Sequence, residues 1–191
     1  MMNRWMVVIA VSLVGFAALL GGGADRKIAP ENIYANNGQK DVKKLPDAVT
    51  PGDLQKVHGE AKDRKPAVFL VAAKDIAAAV KASRGLAVQR AAGDPVPEVK
   101  TDAKGTLWVG AYLGSSGSSP PQFLIESVEV TTKTIRVAYQ RANSKMVTAD
   151  LREYLLWAPL GELKAGDLTL ELYEVTSKKV TLKQSWKVAV E

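Results

Sequence analysis

Four glutamates in two close pairs, Glu126 with Glu129 and Glu171 with Glu174, are the residues best equipped for chemistry. Neighbouring carboxylates could divide the work of general acid and general base, or hold calcium. Each falls at an outward strand position or a strand end, and no loop carries the dense Asp, Asn and Gly spacing of a calcium cradle. The pattern therefore reads as a solvated sheet face. A hydrolase built on carboxylates alone would need one of these glutamates to have a raised pKa in a cleft.

The run Gly114-Ser115-Ser116-Gly117-Ser118-Ser119-Pro120-Pro121 invites a nucleophile-elbow reading. It fails on spacing, because G-x-S-x-G from Gly114 needs glycine where Ser118 stands, and two prolines follow instead of a helix. A phosphate cradle fails as well, since no Lys-Ser or Lys-Thr pair follows the glycines. His58 is the only histidine and lies in a polar stretch, and the chain has no cysteine. Thiolate metal sites, disulfides and a cysteine nucleophile are thereby excluded, and a lone histidine makes neither a metal site nor a relay. No catalytic residue, no cofactor and no metal site is expected.

The aromatic residues Trp108, Tyr112, Tyr139, Tyr154, Trp157, Tyr173 and Trp186 fall in strand-like segments. Trp108, Tyr112 and Trp157 could form a platform for sugar or peptide, although aromatics in strands more often fill a core or pair across strands.

These residues sit in a chain of 191 with 47% hydrophobic and 24% charged residues, enough apolar material for a real core. The net charge of +6 is spread among acids, as in Lys62-Asp63-Arg64-Lys65, without the basic face and interleaved aromatics of a nucleic-acid binder. At the N-terminus Arg4 precedes an uncharged run from Trp5 to Leu20, then Gly21-Gly22-Gly23-Ala24. A positive start, an apolar stretch and a small-residue exit make residues 1–24 a secretory signal or, if uncleaved, a membrane anchor. Either way the remainder is expected outside the cytoplasm, touching a membrane only through that segment.

Residues 25–65 are polar and poorly periodic, with Asn36-Asn37-Gly38 and Pro51-Gly52, and read as a linker with one helical turn near 53–58. Order is expected from Pro66. Ala67-Val68-Phe69-Leu70-Val71 reads as a buried strand, and residues 75–83 as an amphipathic helix stopped by Gly85. Strands follow at 107–113, at 123–130 with a bulge where the alternation slips near Ser127, and at 135–139. Three more are expected at 154–160, 168–172 and 180–190, with Leu182 and Trp186 on one alternating set. Short strands at regular spacing predict a mainly β fold, a small antiparallel, immunoglobulin-like β-sandwich with one short N-terminal helix, over 66–191.

The order strand, helix, loop, then Val99-Lys100-Thr101-Asp102-Ala103-Lys104-Gly105-Thr106-Leu107-Trp108-Val109-Gly110, a Gly-rich hinge at 114–119 and Phe123-Leu124-Ile125-Glu126-Ser127-Val128-Glu129-Val130 resembles a known pattern. It is similar to the C-terminal domain of the bacterial protease-complex subunit family known as PrcB, over about residues 66–140. The family has a V-D-F-x-K segment, a T-G-G-Y hinge and an I-x-x-V strand. This chain departs at the hinge, with Ser-Ser-Gly-Ser-Ser-Pro-Pro-Gln-Phe. The resemblance implies an exported, non-catalytic, β-rich accessory domain that associates with a protein partner in the cell envelope, a protease among the candidates. A sheet edge or the loop 114–121 is the expected contact. The alternative is an envelope domain that binds carbohydrate or peptide.

Overall fold

The computed structural model describes residues 26–58, 65–87, 89, 106–117, 122–142, 151–161, 163 and 165–190. The signal-like segment, Val99 to Gly105 of the family pattern, and Ser118 to Pro121 lie outside them.

Two five-stranded sheets form a β-sandwich-like fold. The first has the order β1 (Arg26–Lys27), β6 (Phe123–Val130), β7 (Thr134–Arg141), β9 (Gly166–Val175), β10 (Val180–Val190). The second runs β3 (Lys43–Lys44), β2 (Tyr34–Ala35), β8 (Leu151–Gly161), β5 (Thr106–Gly117), β4 (Ala67–Ala73). Two helices, α1 (Pro51–His58) and α2 (Ile76–Ala82), pack on the outer face of the second sheet, where sequence periodicity gave one helix and a turn. The ladders are antiparallel except β2 with β3 and β7 with β9. The β7–β9 exception follows from the path of the chain. β8 crosses to the other sheet between them, so β7 and β9 run in the same direction when they meet.

The fold has two apolar layers. Between the sheets lie Val68, Leu70, Val109, Ile125, Val137, Leu156, Leu170 and their neighbours. Beneath the helices lie Phe69, Val71, Ile76, Val80, Trp108, Tyr112 and Trp157. The second sheet is thus covered on both faces, which explains why β4 and β5 read as continuous apolar runs. Among the described residues the first sheet is packed on one face only, and β9 alternates Leu168, Leu170 and Leu172 with Thr169, Glu171 and Tyr173. Asp75 caps α2, its side chain accepting from the Ala78 N–H at 2.8 Å, which satisfies one of the helix's orphan donors.

The expected linker is corrected over 26–58. This stretch supplies β1, β2, β3 and α1, and buries Ile28, Ile33, Ala35, Val42 and Val57. It acts as a strap across the open edges of both sheets. Ile28 N–H donates to the Val128 carbonyl (2.9 Å), and the Arg26 guanidinium reaches across to the Leu160 carbonyl of the other sheet. Beyond β1 the strap pairs through side chains. Gln39 Oε1 accepts from Ile125 N–H (2.8 Å) while its Nε2 donates to the Ile125 carbonyl (3.1 Å). Asn37 Nδ2 donates to the Phe123 carbonyl (2.9 Å). On β8, Asn36 Oδ1 accepts from Leu155 N–H (2.9 Å) and its Nδ2 donates to the Glu153 carbonyl (2.6 Å). A carboxamide carries the same donor and acceptor as a peptide group, so these three side chains stand in for a strand. That chemistry looks like loop in a sequence.

Residues 114–117, expected to open a hinge, continue β5. The ladder slips between Tyr112 and Gly114, and Gly114 takes φ +137° with the Phe123 ring against it. Only glycine accepts both conditions at once. At the opposite seam the β4 edge is capped from β10. Val68 N–H donates to Gln184 Oε1 (2.7 Å) and the Trp186 indole donates to the Val68 carbonyl (2.8 Å).

Candidate functional site

The three aromatics expected as a platform are buried beneath α1 and α2. The Trp108 indole donates to the Ala73 carbonyl (3.1 Å), and the Trp157 indole to Ser83 Oγ (3.1 Å), which itself donates to the Ala79 carbonyl (2.7 Å). Tyr112 Oη donates to Glu153 Oε2 at 2.5 Å. These rings offer no open face for a sugar. They hold the helices to the sheet.

Strand alternation parts Glu171 from Glu174. Glu171 lies on the outer face of the first sheet, where it accepts from Arg136 Nε (2.9 Å) and Tyr173 Oη (3.1 Å). Glu174 has the opposite parity and pairs with Lys183 Nζ at 2.9 Å. Glu174 also helps burial, the larger cause, to hold the Tyr139 hydroxyl well above the usual phenol range. Glu129 lies on the outer face of the first sheet opposite Arg136 yet is only 7% exposed, and Glu126 occupies the register slip between Ile125 and Ser127. Glu171 and Glu174, held by different partners on opposite faces of β9, form no acid–base dyad. His58 ends α1, and among the described residues no group of three or more His, Cys, Asp or Glu could hold a metal ion.

Burial raises the Glu126 carboxyl above its ordinary value, against the attraction of Lys27 and with the help of Asp41. The native state therefore binds this proton more tightly than the unfolded chain does. Stability contributed here is present below the ordinary value of 4.5 and is lost as pH rises through the native value. Glu126→Gln is expected to raise the melting temperature at neutral pH by a small amount, a gain that shrinks to nothing in acid. Melting curves across pH check this, and a gain that grows in acid would contradict it.

The outer face of the first sheet, over which no described element packs, brings together residues far apart in sequence. Register places Lys27, Glu129, Arg136, Glu171 and Ser185 in one row across five strands, with charges alternating in sign over the first four. The next row is Ser127, Ala138, Tyr173 and Leu182, and the one after it Leu124, Gln140, Val175 and Val180. A salt-linked stripe thus borders two rows with six apolar or aromatic members, of which Ala138 is fully buried. Arg136 and Glu171 are well shielded, at 17% and 18% side-chain exposure, which makes their pair stronger than an open surface bridge. Arg136 Nη1 and Ser127 Oγ are buried without a hydrogen-bond partner, a cost borne on this face. Leu182 is 48% exposed, the most open large hydrophobic of the described residues.

Sequence reasoning grouped Leu182 with Trp186, yet the two point to opposite faces. The ladder slips between Leu182 and Gln184, so one extra residue turns Leu182 outward and leaves Trp186 against the core. The outward set Thr169, Glu171, Tyr173 was readable from alternation. Its assembly with Arg136 and Leu182 needed the pairing of β7, β9 and β10. Compared with family models, with curated proteins and with solved structures, the chain finds no match in any of the three.

Proposed function

We propose that this chain is an exported, non-catalytic accessory domain of the bacterial cell envelope, and that it binds a protein partner through the outer face of its first sheet. The observation that carries the reading is the apolar stripe of Tyr173, Leu182, Leu124, Val175 and Val180, over which no described element packs, beside a row of alternating charge. Apolar surface rimmed by ordered polar groups is the usual composition of a protein contact: the apolar part gives affinity, the charges give register. The signal-like segment 1–24 and the resemblance to the PrcB domain support an envelope location and an accessory role, with a protease as one candidate partner. The long β10 edge, by contrast, carries Lys183 and Lys187, with Lys178 and Lys179 in the turn before it. Lysines on an edge discourage strand addition, so the face is a better contact than the edge.

The test is purification of the tagged full-length protein from its native envelope, with mass spectrometry of its N-terminus and companions. A stoichiometric protein companion is expected. Leu182→Glu is expected to lower its recovery at least about tenfold, as for a central interface residue, while the melting temperature stays put because Leu182 is half in solvent. A folded Leu182→Glu protein that retains its companion in full would remove the face from consideration.

A further inference from the structure

The strap contains a bond that is chemically labile in any unfolded chain, Asn37-Gly38. We infer that Asn37 is a site of spontaneous deamidation which the fold holds off, and whose conversion irreversibly unlatches the strap from β6. The chemistry needs only water. The Gly38 peptide nitrogen attacks the Asn37 side-chain carbonyl carbon, losing its proton as ammonia departs, and a succinimide forms. Water then opens the ring at either carbonyl, giving aspartate or isoaspartate. Glycine favours the attack because it has no side chain to shield the nitrogen, and Gly38 already lies at φ +75°.

In the folded protein the Asn37 carboxamide is pinned by three hydrogen bonds. Its Oδ1 accepts from Gln39 N–H (3.2 Å), and its Nδ2 donates to the Phe123 carbonyl (2.9 Å) and to Gln39 Oε1 (3.0 Å). The residue is buried, at 3% exposure. Turning the carboxamide to receive the glycine nitrogen breaks those bonds, so reaction waits on local opening of the strap.

Conversion replaces a donor with a carboxylate oxygen. That oxygen then faces two acceptors, the Phe123 carbonyl and Gln39 Oε1, and adds a charge where water is excluded. Gln39 is the residue that completes the edge of β6 at Ile125, so repulsion at Asn37 passes directly to the next tie. The ammonia is lost to solvent and the latch cannot re-form.

The experiment holds the full-length protein in mildly alkaline buffer, native in one sample and urea-unfolded in the other, and maps residue 37 by peptide mass and isoaspartate detection. Conversion at Asn37 is expected at least about tenfold faster in the unfolded sample, as for a reaction gated by opening. The Asn37→Asp protein is expected to melt lower than wild type and to be cut sooner within 26–44. Equal conversion rates in the two samples, or an Asp variant as stable and protease-resistant as wild type, would overturn the inference. Wild type refolded after partial conversion covers the case in which the variant does not fold. Converted chains are expected in the protease-sensitive fraction, and finding them in the resistant fraction in the same share as unconverted chains overturns the latch.

Discussion

Gly110→Ala is expected to destabilise the domain by about 3 kcal/mol or more, the upper end of the usual cost of overpacking a core. A Cβ added at Gly110 would lie 2.1, 2.7 and 2.9 Å from three carbons of the Phe69 ring. Phe69 sits directly opposite Gly110 on β4, and Trp157 sits directly opposite it on β8. Glycine therefore leaves the slot between two large buried rings, and α2 closes the layer from outside. The Phe69 ring has nowhere to retreat. The sign should reverse when the ring is gone. In a Phe69→Ala background, itself costing about 3–5 kcal/mol, alanine at position 110 should be neutral or stabilising by up to about 1 kcal/mol, because glycine is a poor strand residue. Chemical unfolding of the two single variants and the double variant gives the coupling. A Gly110→Ala protein within about 0.5 kcal/mol of wild type, the spread of ordinary surface changes, would mean that the ring does not lie on the glycine.

A chain beginning at Lys65 is expected not to fold at all. Were residues 26–58 a linker, such a chain would keep its melting temperature. The strap instead buries Ile28, Ile33, Ala35, Val42 and Val57, and removing one large buried aliphatic typically costs about 2–5 kcal/mol. Truncation also strips the partners from the Phe123 carbonyl and from both backbone groups of Ile125, along with the Asn36 contacts on β8. A domain of this size holds about 5–15 kcal/mol in total, and several such losses exceed it. Circular dichroism and a thermal melt decide the matter: a cooperative transition near that of the full chain would return 26–58 to the status of a tether. The single variant Ile33→Ala, which removes one anchor and leaves the hydrogen bonds, is the milder check on the same strap.

These two expectations lie on opposite sides of what a sequence can show. Val68 to Val71 and Leu107 to Leu113 announce buried strands by their own composition, so the β4–β5 pair that contains Phe69 and Gly110 was legible. That the two residues stand opposite each other was not. Register across a ladder is set by contacts between segments some forty positions apart, and a slip of one residue turns every side chain to the other face. Leu182 shows this most plainly, since a single bulge carries it from the core set to the outer face.

The candidate site was half legible in the same sense. Glu171 and Tyr173 were visible as outward positions, whereas Glu129, expected on a solvated face, is buried at 7% exposure beside Arg136. The row that joins Glu129, Arg136 and Glu171 exists only because β7 meets β9 in parallel after the chain has passed through the other sheet. The strap escaped for a different reason. Asn36, Asn37 and Gln39 complete strand edges with side-chain amides, and local sequence cannot distinguish an amide that pairs with a backbone from one that pairs with water.

The sequence by itself determined the mainly β character, the strand segments of the sandwich and the amphipathic helix that precedes Gly85. Period and composition are local properties, and these features are local. Tertiary structure alone decided that a polar stretch is part of the core, that three promising aromatics are hidden beneath helices, and that a charged row lies beside an apolar one on the outer face of the first sheet. Each of those depends on which strand lies next to which, and that is fixed by burial and edge pairing over the whole chain.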